Sequence, residues 1–278
     1  MSVEHTKCLL EKLVEVSNSS FDESSLFIQQ ELFYHYLRSY FPNVPREELH
    51  YELLSNGLFD PVEVIELENT LKQLEDRNVW KIAQDEYDRL KKSWNGVEVP
   101  IFIFPLTKQR PMIDGIVMNK NAASYKGVIF LFVSPELGDT ELKAMLAHEY
   151  HHCCRLDYLN IDFEHIPLKE SLIIEGMAEC MVEALYGGEW QSPWNSRYSN
   201  EELQKIWKSE FVTSLEVKGV GNHLPYLYGD GTDKFPHWIG YCLGYSIVKS
   251  FLLRNGPIKQ ETLLRISSEE IILQSNFA

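Results

Sequence analysis

Five residues limit this chain more than any others. His148-Glu149-Tyr150-His151-His152 has the form H-E-x-x-H. The segment from Glu141 to Leu159 is expected to be helical. On a helix, positions 148 and 152 lie one turn apart on one face, so both imidazoles can reach one ion. Glu149 sits about 100° further round. It is poorly placed to join that ligand set but well placed to take a proton from a water beside the ion. Two ligands and a separate base are the division of labour that metal-assisted hydrolysis needs.

A hydrolytic zinc site takes a third protein ligand and leaves one position open. The three-histidine version places His ten residues after the first His, with Gly at the seventh. Those positions hold Tyr158 and Arg155, which excludes it. The other common solution is a glutamate on a following helix, and Glu175-Gly-Met-Ala-Glu179 provides one. Glu175 follows His152 by 23 positions, room for a loop and a returning helix. Gly176 and Ala178 are small and would let that helix approach the first. Glu179, one turn on, suits the role of accepting the other N–H of a ligand histidine and fixing its tautomer. The reverse assignment, Glu179 as ligand and Glu175 as helper, stays open.

The surrounding pattern predicts helices, then a small sheet, then helices, which is α+β and mainly helical. Asp60-Pro-Val-Glu63 is a helix start, with Asp at the N-cap, Pro next and Glu three residues on. Val62, Ile65, Leu71 and Leu74 are the expected apolar stripe after it. Further helices are expected at 27–40, 46–54, 80–94, 167–186 and 236–254. Strands are expected at 100–104, 116–118 and 127–133, the last being richest in β-branched and aromatic residues. Residues 190–235 read as loop-rich. The domain organisation expected is a helical extension over residues 1–60 and a catalytic domain over 61–278.

Composition narrows the partners. There are 41 Asp plus Glu against 26 Lys plus Arg, a net charge of −15, which argues against nucleic acid or an anionic membrane as partner. Five cysteines, an odd number with no C-x-x-C pair, suit a reducing compartment. The start carries no basic region followed by an apolar one, and the longest apolar run, 127–133, is far short of a membrane span. The expectation is a cytoplasmic protein; its oligomeric state has no signature.

Ala147-His-Glu-Tyr-His-His152 followed by Glu175-Gly-Met-Ala-Glu179 resembles a gluzincin, the metallopeptidase clan whose third zinc ligand is glutamate. More narrowly, Leu146–His152, Arg155, Glu175-Gly176 and Gly240-Tyr-Cys-Leu-Gly-Tyr245 resemble the YjaZ-like family of predicted Zn-dependent proteases, over roughly residues 60–270. The resemblance implies a zincin-like fold, a Zn2+ cofactor held by His148, His152 and Glu175, and a peptide or protein substrate. It also implies that the strand 127–133 is an edge able to bind extended substrate; a buried central strand is the alternative.

An oxyanion donor is sought on the last long helix, where His237, Tyr241 and Tyr245 form one stripe. Tyr241 leads because it lies in the Gly-Tyr stretch; the alternative is that these aromatics only pack. His223, read as a loop residue, is a further candidate, and His165, in a loop before Pro167, is a candidate for lining the cleft. His151 is expected to be exposed or hydrogen-bonded beside the site. Arg155 is expected to pair with a carboxylate near the metal or to lie on the surface. Cys153 and Cys154 are expected to pack, and His5, His35 and His50 to be structural. The function expected is peptide-bond hydrolysis with Glu149 as general base. Endopeptidase is preferred, since no motif grips a free amine. The alternatives are a catalytically silent zinc-containing peptide-binding or regulatory protein, and hydrolysis of a non-peptide amide.

Overall fold

A computed structural model of the chain describes residues 2–19, 24–110, 112–113, 116–125, 127–161 and 165–278. The chain divides into two compact units, one of residues 1–90 with 98–146 and the other of residues 91–97 with 147–278. The compact units thus divide the chain elsewhere than at residue 60.

The first unit opens with helices α1 (Thr6–Ser19), α2 (Ser25–Leu37) and α3 (Arg46–Ser55). Asp60 then caps a 3₁₀ turn, Pro61–Glu63. Its carboxylate accepts from Val62 N at 3.0 Å, and Glu63 reaches back to Asp60 N at 3.1 Å. Helix α4 (Val64–Asp76) follows and buries Leu67, Leu71 and Leu74. The expected stripe is therefore rotated: Val62 is 67% exposed and Ile65 88%. Helix α5 (Val79–Trp94) leads to the strands.

Strand β1 (Ile101–Pro105) lies parallel to β5 (Val128–Val133), and β4 (Lys120–Tyr125) pairs antiparallel on the other side of β5. Strands β2 (Met112–Ile113) and β3 (Ile116–Val117) form a separate antiparallel pair. The strand expected as a substrate-binding edge is thus the centre of the three-stranded sheet. Every residue of β5 is buried, which accounts for its unbroken apolar run, since a strand covered on both faces shows no polar alternation. The edge role fails for β5 because both of its edges are already hydrogen-bonded.

Phe102, Phe104, Phe130 and Phe132 share one sheet face and a core with Leu10 of α1 and Phe33 of α2. Phe33 and Phe104 lie 5.0 Å apart between ring centroids. Thr6 Oγ1 donates to Ile103 O at 2.7 Å, and Ile101 N donates to Ser2 O at 2.7 Å. The helices of residues 1–60 thus complete the core of the sheet. Deleting them is expected to leave those phenylalanine rings in water and the remaining protein insoluble. The soluble fraction and far-UV circular dichroism of the 61–278 fragment test this; a soluble, folded fragment would refute it.

The second unit is helical. Its long elements are α6 (Asp139–Leu159, from Ala147 onward), α7 (Leu168–Tyr186), α9 (Val220–Tyr228) and α10 (Ile239–Asn255). The shorter α8 (Asn200–Ile206), α11 (Gln260–Leu263) and α12 (Ser268–Leu273) complete it. The stretch expected to be loop-rich, 190–235, holds α8, a π-turn at Trp207–Phe211 and α9. Helix α10 starts three residues later than expected, at Ile239, because Trp238 takes a left-handed conformation (φ 64°). Helices α7 and α10 meet at two glycines: a Cβ on Gly176 would lie 2.0 Å from Gly244 O, and one on Gly244 would lie 2.1 Å from Leu172 O. The close approach expected of Gly176 is therefore made to α10. Among the described residues, no helix is long and apolar enough to cross a membrane. The architecture is mainly helical with a small sheet, as α+β requires.

Candidate metal centre

Helix α6 places His148 and His152 on one face, with ring centroids 4.6 Å apart. Helix α7 brings Glu175 to both. Its Oε2 lies 3.3 Å from His148 Nε2 and 3.5 Å from His152 Nε2. Among the described residues, these three form the group of His, Cys, Asp and Glu side chains close enough to hold one ion. Ligand atoms 2.0–2.1 Å from a tetrahedral centre are about 3.3–3.4 Å apart, so the spacing suits zinc. Glu175 Oε2 is buried with no hydrogen-bond partner. A buried carboxylate oxygen facing two imidazoles in this way suits a metal ligand better than a structural role.

Glu179, one turn beyond Glu175, lies with its Oε1 3.2 Å from His148 Nδ1. That carboxylate is already held elsewhere. Ser192 donates through its N (3.0 Å) and Oγ (2.6 Å), and Asn195 through Nδ2 (2.6 Å). Ser192 and Asn195 carry no sequence signal for this role, since Ser192-Pro193 reads only as a turn. Burial works against a cationic His148, but the nearby carboxylates of Glu175 and Glu179 outweigh it and raise its pKa well above the ordinary imidazole value. Burial likewise opposes ionisation of Glu175, yet the neighbouring imidazoles of His152 and His148 hold its carboxyl below the usual carboxylate range. The cluster attracts positive charge between the two helices.

Glu149 is buried on α6 beside the two histidines. Tyr241 stands near it on α10. Burial first, then the charge of Glu175, the Tyr228 hydroxyl and the charge of Glu149 push the Tyr241 phenol well above its usual pKa. Tyr228, which sequence reasoning missed, lies with its ring centroid 5.3 Å from that of Tyr241.

The other expected site residues are placed elsewhere. Tyr245 donates to Glu183 at 3.1 Å, where Lys249 also binds at 2.5 Å. His237 is exposed, precedes α10, and its backbone carbonyl accepts from Tyr198. His223 lies in α9, not a loop, and both ring nitrogens are engaged, with Ser171 Oγ at 2.8 Å and Val217 O at 2.9 Å. His151 is neither exposed nor hydrogen-bonded. It is fully buried, with no partner for either nitrogen, and lies edge-on to Trp94 at 5.8 Å. Burial pushes its pKa well below the ordinary value, and the neighbouring His152, His148 and Arg155 add to this. Arg155 is fully buried, not on the surface, with its guanidinium on the carboxylate of Glu170. Cys153 and Cys154 are buried, and burial raises both thiols, Cys154 to about 11. His50 is buried on Gln29 at 2.7 Å.

The family described as "Predicted Zn-dependent protease (DUF2268)" matches residues 79–273. The chain belongs to this family. Zinc is therefore its cofactor by the family description. Family relatives in Bacillus subtilis (strain 168) include the uncharacterized protein YjaZ, 30% identical over 184 residues, which are 66% of this chain and 70% of YjaZ. The uncharacterized protein YjfC of the same organism is 31% identical over 160 residues, 53% of this chain and about half, 52%, of YjfC. No solved structure matches the chain. The matched range contains α6, α7 and α10, so the DUF2268 region includes the whole histidine–glutamate cluster.

Proposed function

We propose that this chain is a zinc metallopeptidase of the gluzincin type with a zincin-like catalytic region. In this reading His148, His152 and Glu175 hold the metal. The observation that carries it is the spacing of 3.3 and 3.5 Å from one Glu175 oxygen to two histidine nitrogens. Glu175 is the ligand and Glu179 the supporting carboxylate, because Glu175 Oε2 lacks a partner while Glu179 has three donors besides His148. Zinc in that position supplies Lewis-acid polarisation of a carbonyl and makes water more acidic.

The chain's own groups do the rest. Glu179 holds His148 by its Nδ1 and keeps Nε2 turned to the cluster. Glu149 takes the proton from the attacking water and returns it to the leaving amine. The Tyr241 hydroxyl, protonated throughout the working pH range, donates to the developing oxyanion. The substrate is a peptide or protein, with internal bonds preferred to terminal ones. Tyr245 and His237 have no part in this reading.

Metal content decides the first step. Protein purified without a metal-affinity tag is expected to carry about one zinc per chain. His148→Ala and Glu175→Ala are each expected to lose it. Wild-type protein that binds no zinc after zinc addition and dialysis would remove the proposal.

A further inference from the structure

Seven residues after His148, on the same helix, Arg155 has no exposed surface at all. Its guanidinium grips the carboxylate of Glu170 on α7 with two bonds, Nε to Oε1 at 2.7 Å and Nη2 to Oε2 at 3.0 Å. Nη1 donates to the carbonyls of Leu264 (2.6 Å) and Ile266 (2.8 Å). Ser268 donates its hydroxyl to the same Glu170 carboxylate. Among the described residues, the group close enough to hold one ion includes neither Arg155 nor Glu170.

From this we infer that Arg155 and Glu170 are positioning residues for the metal centre: their two-bond clasp sets the register of α7 against α6 and so aims Glu175 at His148 and His152. The inference rests on reading Glu175 as the third ligand. Arg155 lies one turn beyond His152, and Glu170 five residues before Glu175, so clasp and cluster are successive rungs between the same two helices. A planar fork on a carboxylate admits one orientation, whereas a lone ammonium admits many. Sliding α7 by a single residue's rise, about 1.5 Å, would take Glu175 out of the ~3.3 Å spacing a tetrahedral ion imposes. Residues 264–268 hold both members of the clasp, which makes the segment between α11 and α12 part of the support.

The test uses the full chain with Arg155→Lys, Glu170→Gln and Ser268→Ala. Zinc affinity is measured by chelator competition well below the melting temperature, and geometry by the visible spectrum of the cobalt-substituted protein. Arg155→Lys and Glu170→Gln are expected to weaken zinc about 10- to 100-fold and to shift the cobalt bands. Ser268→Ala, which removes no charge, is expected to do the same to a smaller degree, and it decides the matter if the other two do not fold. Leu243→Ala, a core cavity in α10, lowers stability without touching the clasp and is expected to leave the cobalt spectrum unchanged. Folded clasp variants with wild-type zinc affinity and spectrum would overturn the inference. If Glu175→Ala also kept wild-type affinity, the ligand assignment itself would be at fault.

Discussion

Glu149→Gln is expected to keep its zinc and lose about 10²- to 10⁴-fold in turnover, the contribution typical of a positioned general base. The amide is nearly isosteric with the carboxylate but cannot accept the proton. Because Glu149 lies off the His148–His152 face, the metal should remain at one per chain. A quenched-fluorescent peptide mixture first identifies a cleaved sequence; wild type and variant are then compared on it, with zinc measured in the same samples. Lost cleavage with zinc retained separates a peptidase from a peptide-binding protein. Cleavage at the wild-type rate would refute the role given to Glu149, and no cleavage by either protein would favour the silent binding reading.

Gly176→Ala is expected to destabilise the protein by about 3 kcal/mol or more, at the upper end of overpacking costs. The added methyl would sit 2.0 Å from Gly244 O and 2.3 Å from Gly244 C. Both are backbone atoms, so no rotamer change relieves the clash and α7 must move off α10. A loss of that size lowers the melting temperature by about 6–12 °C in a chain of this length. Glu175 is the adjacent residue, so zinc affinity should fall with it, and adding zinc should recover only part of the lost stability. An unchanged melting temperature by calorimetry would mean that α7 and α10 do not meet so closely.

Local features were the most legible. His148 and His152 could be placed on one face because the helical period fixes positions i and i+4 from sequence alone. Glu175 and Glu179 were legible for the same reason, one turn apart and near apolar residues. Asp60-Pro-Val-Glu63 is legible as a capped start, since capping is a contact between neighbours in sequence. What failed depended on distant partners. Nothing in Val128–Val133 says that two other strands will take both its edges. Strand β4, Lys-Asn-Ala-Ala-Ser-Tyr, is polar and poor in β-branched residues, and becomes a strand because β5 offers it hydrogen bonds. Helix α9 was hidden by Pro225 within it and by glycines at both ends. His151, among four polar neighbours, gave no hint that Trp94, 57 residues earlier, would cover it. Arg155 found its partner fifteen residues on and two carbonyls more than a hundred residues away, beyond any spacing rule.

The shared core of the sheet and the first four helices also has a consequence during synthesis. Helices α1 to α4 leave the ribosome with apolar faces whose natural cover is β1 and β5. The 57 residues between Asp76 and Val133 take roughly 3 to 11 seconds to translate at ordinary rates of synthesis. For that time the nascent segment exposes Leu10, Phe33 and their neighbours, and pairing such as Val3 with Ile101 has a long loop to close. This is the interval in which a chaperone has most to hold, and in which slower elongation between residues 76 and 133 should raise the yield of aggregated chains.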